Sequence, residues 1–290
     1  MKYTINQLRA VKGIGEKTIR RIVEQYSRDD ELGSPIAPAP SRLDYHNNVL
    51  SLYYGDCLER MRGIPDNSVD MVLSDPPYQT TALKWDSHIP FEPMWAQIKR
   101  VVKDDSAIVM TSSQPFTTRL IASNEYAFRY CWVWDKHIPR GMSQARNQPM
   151  RKHEDVCVFS YTYPFKYYPI KTKREKPVTV KNYQKEKGGF HGSYKDNTKT
   201  YTYTHKNPTT IITGCWEANA GKIHPTQKPV SLGQYLIKTY TQAGDTVLDF
   251  AMGSGSFGVA AKMESRKFIG IELNEDYYVA ARDRIVGCLS

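Results

Sequence analysis

No two cysteines in this chain are spaced Cys-x-x-Cys, and no apolar run approaches the roughly 20 residues needed to span a bilayer. The five cysteines (Cys57, Cys131, Cys157, Cys215 and Cys288) are odd in number and widely scattered. That argues against a zinc site or a disulfide scaffold and for reduced thiols in a cytosolic protein. The N-terminus has no apolar signal core, so a soluble, cytoplasmic protein without a membrane partner is expected. Two catalytic signatures are also missing. No Gly-Lys-Ser/Thr of a phosphate loop follows a glycine turn, and no Pro-Cys dipeptide offers a thiol nucleophile.

Acidic residues are in deficit, with 30 Asp and Glu against 40 Lys and Arg, and the net charge of +10 points to a polyanionic partner. The excess is uneven. Between Tyr161 and Lys222 there are twelve Lys/Arg against four Asp/Glu, together with eight of the 20 tyrosines. A charge run is usually a solvated face, but interleaved aromatic and basic residues favour a nucleic-acid surface.

With 290 residues the chain is long enough for one large α/β domain and a small appendage. Residues 1–32 read as the appendage. Ile5, Leu8 and Val11 have helical spacing, Gly13-Ile14-Gly15 breaks it, and Ile19, Ile22 and Val23 resume it. Residues 33–42 are a proline-rich linker, and 43–290 form the main domain. Strand-like runs are expected at Asn48–Tyr54, Ser68–Leu73, Ala107–Thr111, Phe128–Trp134, Val156–Tyr161, Asp245–Asp249 and Phe268–Glu272. Helical stretches separate most of them, which predicts a parallel, doubly wound sheet broken by the irregular interval 161–222.

Two stretches carry the chemistry. Asp75-Pro76-Pro77-Tyr78 follows the strand at Ser68–Leu73, and its prolines stop that strand abruptly. A carboxylate and an aromatic ring are thereby held at a strand's carboxyl end, where open α/β sheets bind ligands. Far along the chain, Asp249-Phe250-Ala251-Met252-Gly253-Ser254-Gly255-Ser256 is a strand end, a glycine turn and a helix start. The turn is read as not being Gly-x-Gly-x-x-Gly, and no cation sits in it, so a triphosphate is disfavoured. Glu272 ends the next strand about twenty residues on, the spacing at which an acid accepts both ribose hydroxyls. This pair alone fits a dinucleotide or an adenosine-type cofactor equally.

Taken together, these residues resemble the amino-group DNA methyltransferases that use S-adenosylmethionine, in the beta-group order with the catalytic segment first. The resemblance covers most of Leu50–Ile285 outside 161–222. It rests on Asp75–Tyr78, His224-Pro225-Thr226-Gln227-Lys228-Pro229, the Asp249–Ser256 loop and Ile271-Glu272, with Tyr54-Gly55-Asp56 and Lys84-Trp85-Asp86 in support. Ala251-Met252 and Ser256 depart from the family loop, which usually carries Pro, a further Gly and Thr there. The resemblance implies an α/β, Rossmann-like methyltransferase fold with permuted motif order. Asp75, Pro76, Pro77 and Tyr78 would be catalytic. Asp56, Cys57, Asp75, His224, Thr226, Lys228, Asp249, Phe250, Gly253, Ser254, Gly255, Ser256, Glu272 and Leu273 would line the S-adenosylmethionine site, with no metal. The interval 161–222 would recognise the target sequence.

Val11-Lys12-Gly13-Ile14-Gly15-Glu16-Lys17-Thr18 separately resembles a helix-hairpin-helix that binds duplex DNA without reading its sequence. Lys12, Gly13, Gly15, Lys17, Lys84 and Lys136 are assigned to DNA. A homodimer is compatible with the resembling group. Asp ahead of Pro-Pro-Tyr leans toward adenine N6 as the target. N4-cytosine methylation, an RNA or single-stranded target, and a non-catalytic DNA-binding protein on a methyltransferase scaffold are the alternatives. If the hairpin assignment holds, deleting residues 1–32 lowers general DNA affinity and its salt dependence but leaves the methylated sequence unchanged. Binding titrations and product mapping check this, and an altered recognition site would show that the hairpin reads bases.

Overall fold

The computed structural model describes residues 40–78, 89–183, 198–216 and 227–288. Contacts divide the chain into Met1–Ala39 and Pro40–Ser290, and every described residue belongs to the second unit. The expected hairpin over 1–32 and all but the last three residues of the linker lie outside the described residues.

Six consecutive buried residues, Val69–Ser74, form strand β3. Burial on both faces is the condition of a strand inside a parallel sheet, and it accounts for the unbroken apolar run. β3 pairs in parallel with β10 (Thr246–Asp249) on one side and β4 (Val102–Ser112) on the other. Beyond β10 lie β11 (Lys267–Glu272), β2 (Leu50–Tyr54) and the short β1 (Tyr45–His46). Beyond β4 lie β6 (Arg151–Phe159), β5 (Phe128–Arg140) and β9 (Ile211–Ile212). The order across the sheet is β1-β2-β11-β10-β3-β4-β6-β5-β9.

Side-chain alternation along the central strands feeds two cores. Met71 and Leu73 join one cluster with Leu232, Leu236, Phe257 and Ile285. These come from α4 (Val230–Tyr240), α5 (Ser256–Met263) and α6 (Glu275–Gly287). Val72 joins the other cluster with Met61, Ile98 and Leu120, from α1 (Cys57–Met61), α2 (Phe91–Val101) and α3 (Phe116–Ala122). The result is a three-layer α/β/α arrangement.

One expectation needs correction. The sheet is mixed, because β6 runs antiparallel to both β4 and β5. Residues 141–150 join β5 to β6 without a crossover helix, and a direct connection of that kind returns the chain antiparallel. Parts of the interval 161–222 pack with the main body. Its first residues pack on the body, where Phe165 stacks on Tyr240, Tyr168 N donates to Thr239 O at 2.7 Å, and Lys166 pairs with Asp70 at 2.8 Å. Ile212 and Cys215 near its end are buried in the core. Between them, β7 (Thr172–Tyr183) and β8 (Thr198–Lys206) form a separate two-stranded antiparallel ribbon.

Asp70, at the start of β3, ties several segments together. Its Oδ1 accepts from Lys103 at 2.7 Å and from Lys166 at 2.8 Å, and its Oδ2 accepts from Thr246 N at 3.0 Å. Burial pushes its pKa up, but the two lysines outweigh burial and hold it below the ordinary carboxylate value. Its share of stability is therefore fully present above that ordinary value and is lost as pH falls through the depressed one. Asp70→Ala should destabilise the fold by about 2 kcal/mol at neutral pH, less than a fully buried pair because Lys103 remains half in water. Denaturant melts at pH 7 and below pH 3 check this, with the difference between variant and wild type shrinking in acid.

Candidate active site

The direction in which successive strands step across the sheet reverses between β3 and β10. β3 is followed by β4 on one side, β10 by β11 on the other, so their carboxyl ends flank a topological switch point. Register pairs Val247 with Met71 and Leu248 with Val72, which carries Asp249 level with the end of β3. Ser74 Oγ donates to Asp249 Oδ1 at 2.7 Å. The two stretches singled out from sequence thus meet.

In the glycine turn, Asp249 Oδ1 also accepts from Ala251 N at 3.1 Å. Glu272 Oε2 accepts from Gly253 N at 2.9 Å, and Oε1 from Asn274 N at 2.8 Å. Among the described residues neither carboxylate has an ion-pair partner. Burial raises both pKa values, that of Asp249 to about 7, with the charges of Asp75 and Glu272 adding to the rise. Gly253 has φ +50° and a Cβ there would meet nothing within 4 Å, so its outer side is open to a ligand. Beside Glu272 the Leu273 side chain is 53% exposed, an apolar wall facing water. Uncompensated carboxylates, an open glycine and an exposed apolar edge fit a ligand with cationic, hydroxyl and aromatic parts. S-adenosylmethionine has all three.

The turn also contains a glycine the sequence reading passed over. Gly258 completes a Gly-x-Gly-x-x-Gly spacing with Gly253 and Gly255, and a Cβ on it would lie 2.7 Å from the Phe268 ring and 2.5 Å from Ile285 Cδ1. It serves close packing of α5 on the sheet rather than ligand contact. Ser254 and Ser256 likewise turn inward, where Arg284 Nη1 reaches Ser254 O at 3.0 Å and Ser256 Oγ at 3.1 Å. Phe250 and Cys57 are core residues, and burial pushes the Cys57 thiol up to about 12. Asp56 caps α1, accepting from Leu58 N at 2.8 Å and Glu59 N at 3.1 Å.

Asp75 is held from both oxygens. Tyr78 OH donates to Oδ1 at 2.7 Å, Thr111 Oγ1 donates to the same oxygen, and Lys228 Nζ donates to Oδ2 at 2.7 Å. An ionised carboxylate has about four acceptor positions, so one remains open. Lys228 is buried and lies 3.3 Å from Glu154 Oε2, near enough for charge pairing without a hydrogen bond at that oxygen. Glu154 Oε1 in turn accepts from Lys136 at 3.2 Å. Burial opposes charge on Lys228, but Asp75 and Glu154 outweigh it and raise its pKa above the ordinary lysine value. The two lysines similarly overcome burial at Glu154 and lower its pKa. The Tyr78 ring stacks on Phe116 at 5.2 Å, with Lys228 over it at 5.5 Å.

Two lysines singled out from sequence have carboxylate partners in the structure. Lys228, read as a cofactor ligand, is bound to Asp75. Lys136, read as a DNA contact, is 16% exposed and neutralised by Glu154. Glu154 and Thr111 went unread. The only available signal for Glu154 was a carboxylate pair, Glu154-Asp155, just ahead of the apolar run Val156–Phe159. Lys12, Gly13, Gly15, Lys17, Lys84, His224 and Thr226 lie outside the described residues.

The model of the N6/N4 DNA methylases matches residues 69–283, about three quarters of the chain. The chain belongs to this DNA methylase family. Its members use S-adenosylmethionine, and the site built around Asp75, Asp249 and Glu272 falls inside the matched span. The chain is 24% identical to the type II methyltransferase M.HpaI of Haemophilus parainfluenzae over 247 residues, covering 81% of this chain and 73% of that one. Its fold is similar to that of the M1.HpyAVI–SAM complex, with a TM-score of 0.54, 21% identity, and 81% and 98% of the two chains covered. It is also similar to that of the PvuII DNA methyltransferase, described as cytosine-N4-specific, with a TM-score of 0.57, 17% identity, and 85% and 95% covered. Among the described residues no helix of this methylase is long and apolar enough to cross a membrane.

The raised pKa of Asp249 has a measurable consequence. Between the ordinary carboxylate value and about 7 the unfolded chain binds fewer protons here than the native one, so stability falls as pH rises through that window. Asp249→Asn should raise the stability of the ligand-free protein at pH 8 by on the order of 2 kcal/mol and leave it unchanged near pH 4. The same variant should bind S-adenosylmethionine at least about tenfold more weakly, because one charged interaction is removed. Thermal melts with and without S-adenosylmethionine at both pH values test the two effects together.

Proposed function

We propose that this methylase transfers a methyl group from S-adenosylmethionine to the N6 amino group of an adenine flipped out of duplex DNA. The observation that carries this reading is Asp75-Pro76-Pro77-Tyr78 at the switch point, with one acceptor position of Asp75 left open beside the glycine turn. An exocyclic amine is a poor nucleophile because its lone pair is delocalised into the ring. The open position on Asp75 Oδ2 and the Pro76 carbonyl each accept one amino hydrogen, which favours a tetrahedral nitrogen with an aimed lone pair. When bound, S-adenosylmethionine supplies a sulfonium methyl group to that lone pair. Asp249 and the Gly253 and Gly255 backbone hold its methionine part, Glu272 its ribose, and Leu273 and Asp56 flank its adenine.

Lys228 keeps the Asp75 carboxylate in place, and Glu154 keeps Lys228 in place. The proton that nitrogen sheds passes to Asp75 Oδ2 and on to water, with Lys228 still paired to Glu154. Tyr78 exchanges its bond to Asp75 for stacking on the flipped base, and Phe116 behind it supports the ring. The β7–β8 ribbon supplies sequence readout, since two paired strands fit the major groove.

The test is methyl transfer from labelled S-adenosylmethionine to unmethylated bacterial genomic DNA, followed by digestion and mass spectrometry of the nucleosides. N6-methyladenine is the expected product. N4-methylcytosine would preserve the mechanism and move the target, and absence of transfer despite cofactor binding would refute the proposal. Asp75→Ala should lower transfer by at least about 100-fold while the cofactor dissociation constant changes by less than about threefold. Lys228→Met should lower kcat by about tenfold or more with cofactor affinity retained. A large loss of cofactor affinity in Lys228→Met would return Lys228 to the cofactor site.

A further inference from the structure

The antiparallel hairpin of β5 and β6 extends past the sheet from the pair Trp134–Glu154, two ion pairs away from Asp75. From Lys136 to His153 it contains no acidic residue. The carboxylates at its base are all engaged. Asp135 lies 3.3 Å from Lys152, Glu154 holds Lys136 and Lys228, and Asp155 Oδ2 is 2.9 Å from Thr117 Oγ1. Arg140, Arg146 and Arg151 are exposed and have no carboxylate partner among the described residues. Arg140 and Arg151 are moreover directly opposite each other in the ladder. Like charges facing across a strand pair cost stability, a cost that an anion between them removes.

The hairpin is also shaped in advance. His137 and Gly141 take positive φ of 65° and 95°, and Asp135 Oδ1 accepts from His137 N at 2.9 Å. A 3-10 turn at Met142–Gln144 closes the tip, with Gln144 N donating to Gly141 O at 3.0 Å and Asn147 N to Gln144 O at 2.9 Å. The His137 ring stacks on Trp216 at 5.5 Å, which fastens one side of the hairpin to the segment after β9. Cations held in a fixed geometry lose little conformational freedom when they meet a partner.

We propose that this hairpin is a phosphate grip for duplex DNA next to the catalytic site, with Arg140 and Arg151 bracketing one backbone phosphate and Arg146 contacting another. The inference rests on the proposed DNA methylation. It differs from the ribbon's role, because phosphate contacts position the duplex and carry no sequence information.

The experiment compares the wild-type chain with the triple variant Arg140→Gln/Arg146→Gln/Arg151→Gln. Affinity for a labelled duplex is measured between about 50 and 200 mM salt, alongside methylation kinetics and product mapping. The slope of log affinity against log salt should fall by about 0.9 for each phosphate that the variant no longer neutralises. KM for DNA should rise, while kcat at saturating DNA, cofactor affinity and the methylated sequence stay as in the wild type. Arg151→Glu separates this role from a structural one. It places opposite charges across the ladder, so its melting temperature should rise while DNA affinity falls. If the triple variant does not fold, Arg146→Gln at the tip should still lower the slope by about 0.9. An unchanged slope and KM in folded variants of a wild type that methylates DNA would overturn the grip alone. A wild type that methylates no DNA would instead refute the proposed function, and the binding slopes would decide the grip independently.

Discussion

A hydrogen bond of 2.7 Å from Ser74 to Asp249 joins residues 175 positions apart, and the site depends on the adjacency it marks. β3 and β10 lie side by side in register, so the turn after each strand opens into the same crevice. Sheet adjacency, not chain order, brings the two segments together. That is why the segment bearing Asp75 can precede the glycine turn in sequence without altering the geometry at the switch point. The same adjacency brings both strand ends together, and their partners are what set the two carboxylates there apart, a lysine for Asp75 and neutral donors for Asp249.

On the β3 side the charges alternate through Asp75, Lys228, Glu154 and Lys136. Each is held by the next, and the lysine pKa rises despite burial. Such a chain contributes orientation more than net stability, because the desolvation of buried ions offsets most of their attraction. On the β10 side, Asp249 is buried and Glu272 half-buried, each with only neutral donors, and their pKa values rise. One half of the crevice is therefore electrostatically complete and rigid. The other is incomplete and gains when a cationic, hydroxyl-bearing ligand arrives. That division suits a reaction in which one group must hold an amine still while the other half binds a positively charged methyl donor.

The strand-end motifs were legible in sequence because each is local. Two prolines after a buried run, or an acid before a glycine turn, declare their geometry without reference to the rest of the chain. The expected strands were legible for the same reason, with boundaries shifted by a few residues at most except in β4, β5 and β6, whose polar ends broke the apolar run. Contacts created by pairing were not legible. Glu154 reaches Lys228 only because β6 runs antiparallel to β4, and nothing near Glu154 encodes that direction. The ribbon escaped for a different physical reason. β7 and β8 cover no core, so their alternation sets Val178 and Val180 with Tyr203 and Tyr201 on one face, and Thr179 and Lys181 with Thr202 and Thr200 on the other. Neither face forms the continuous apolar stripe that marks a buried strand.

Basic residues in this chain thus serve different ends that a charge count cannot separate. Lys166 closes the base of β3, Lys136 and Lys228 neutralise carboxylates inside the site, and Arg284 braces the glycine turn. The count of 40 Lys and Arg overstates the cations available to a polyanion, because those held in internal pairs are already engaged. Among the described residues, exposed basic side chains outside those pairs include several on the β7–β8 ribbon and the three arginines of the β5–β6 tip. The tip arginines stand beyond the same strands that carry Glu154 and Lys136, so the proposed phosphate contacts and the outer end of the charge chain behind Asp75 belong to one strand pair, while the direct holders of Asp75 come from other parts of the chain.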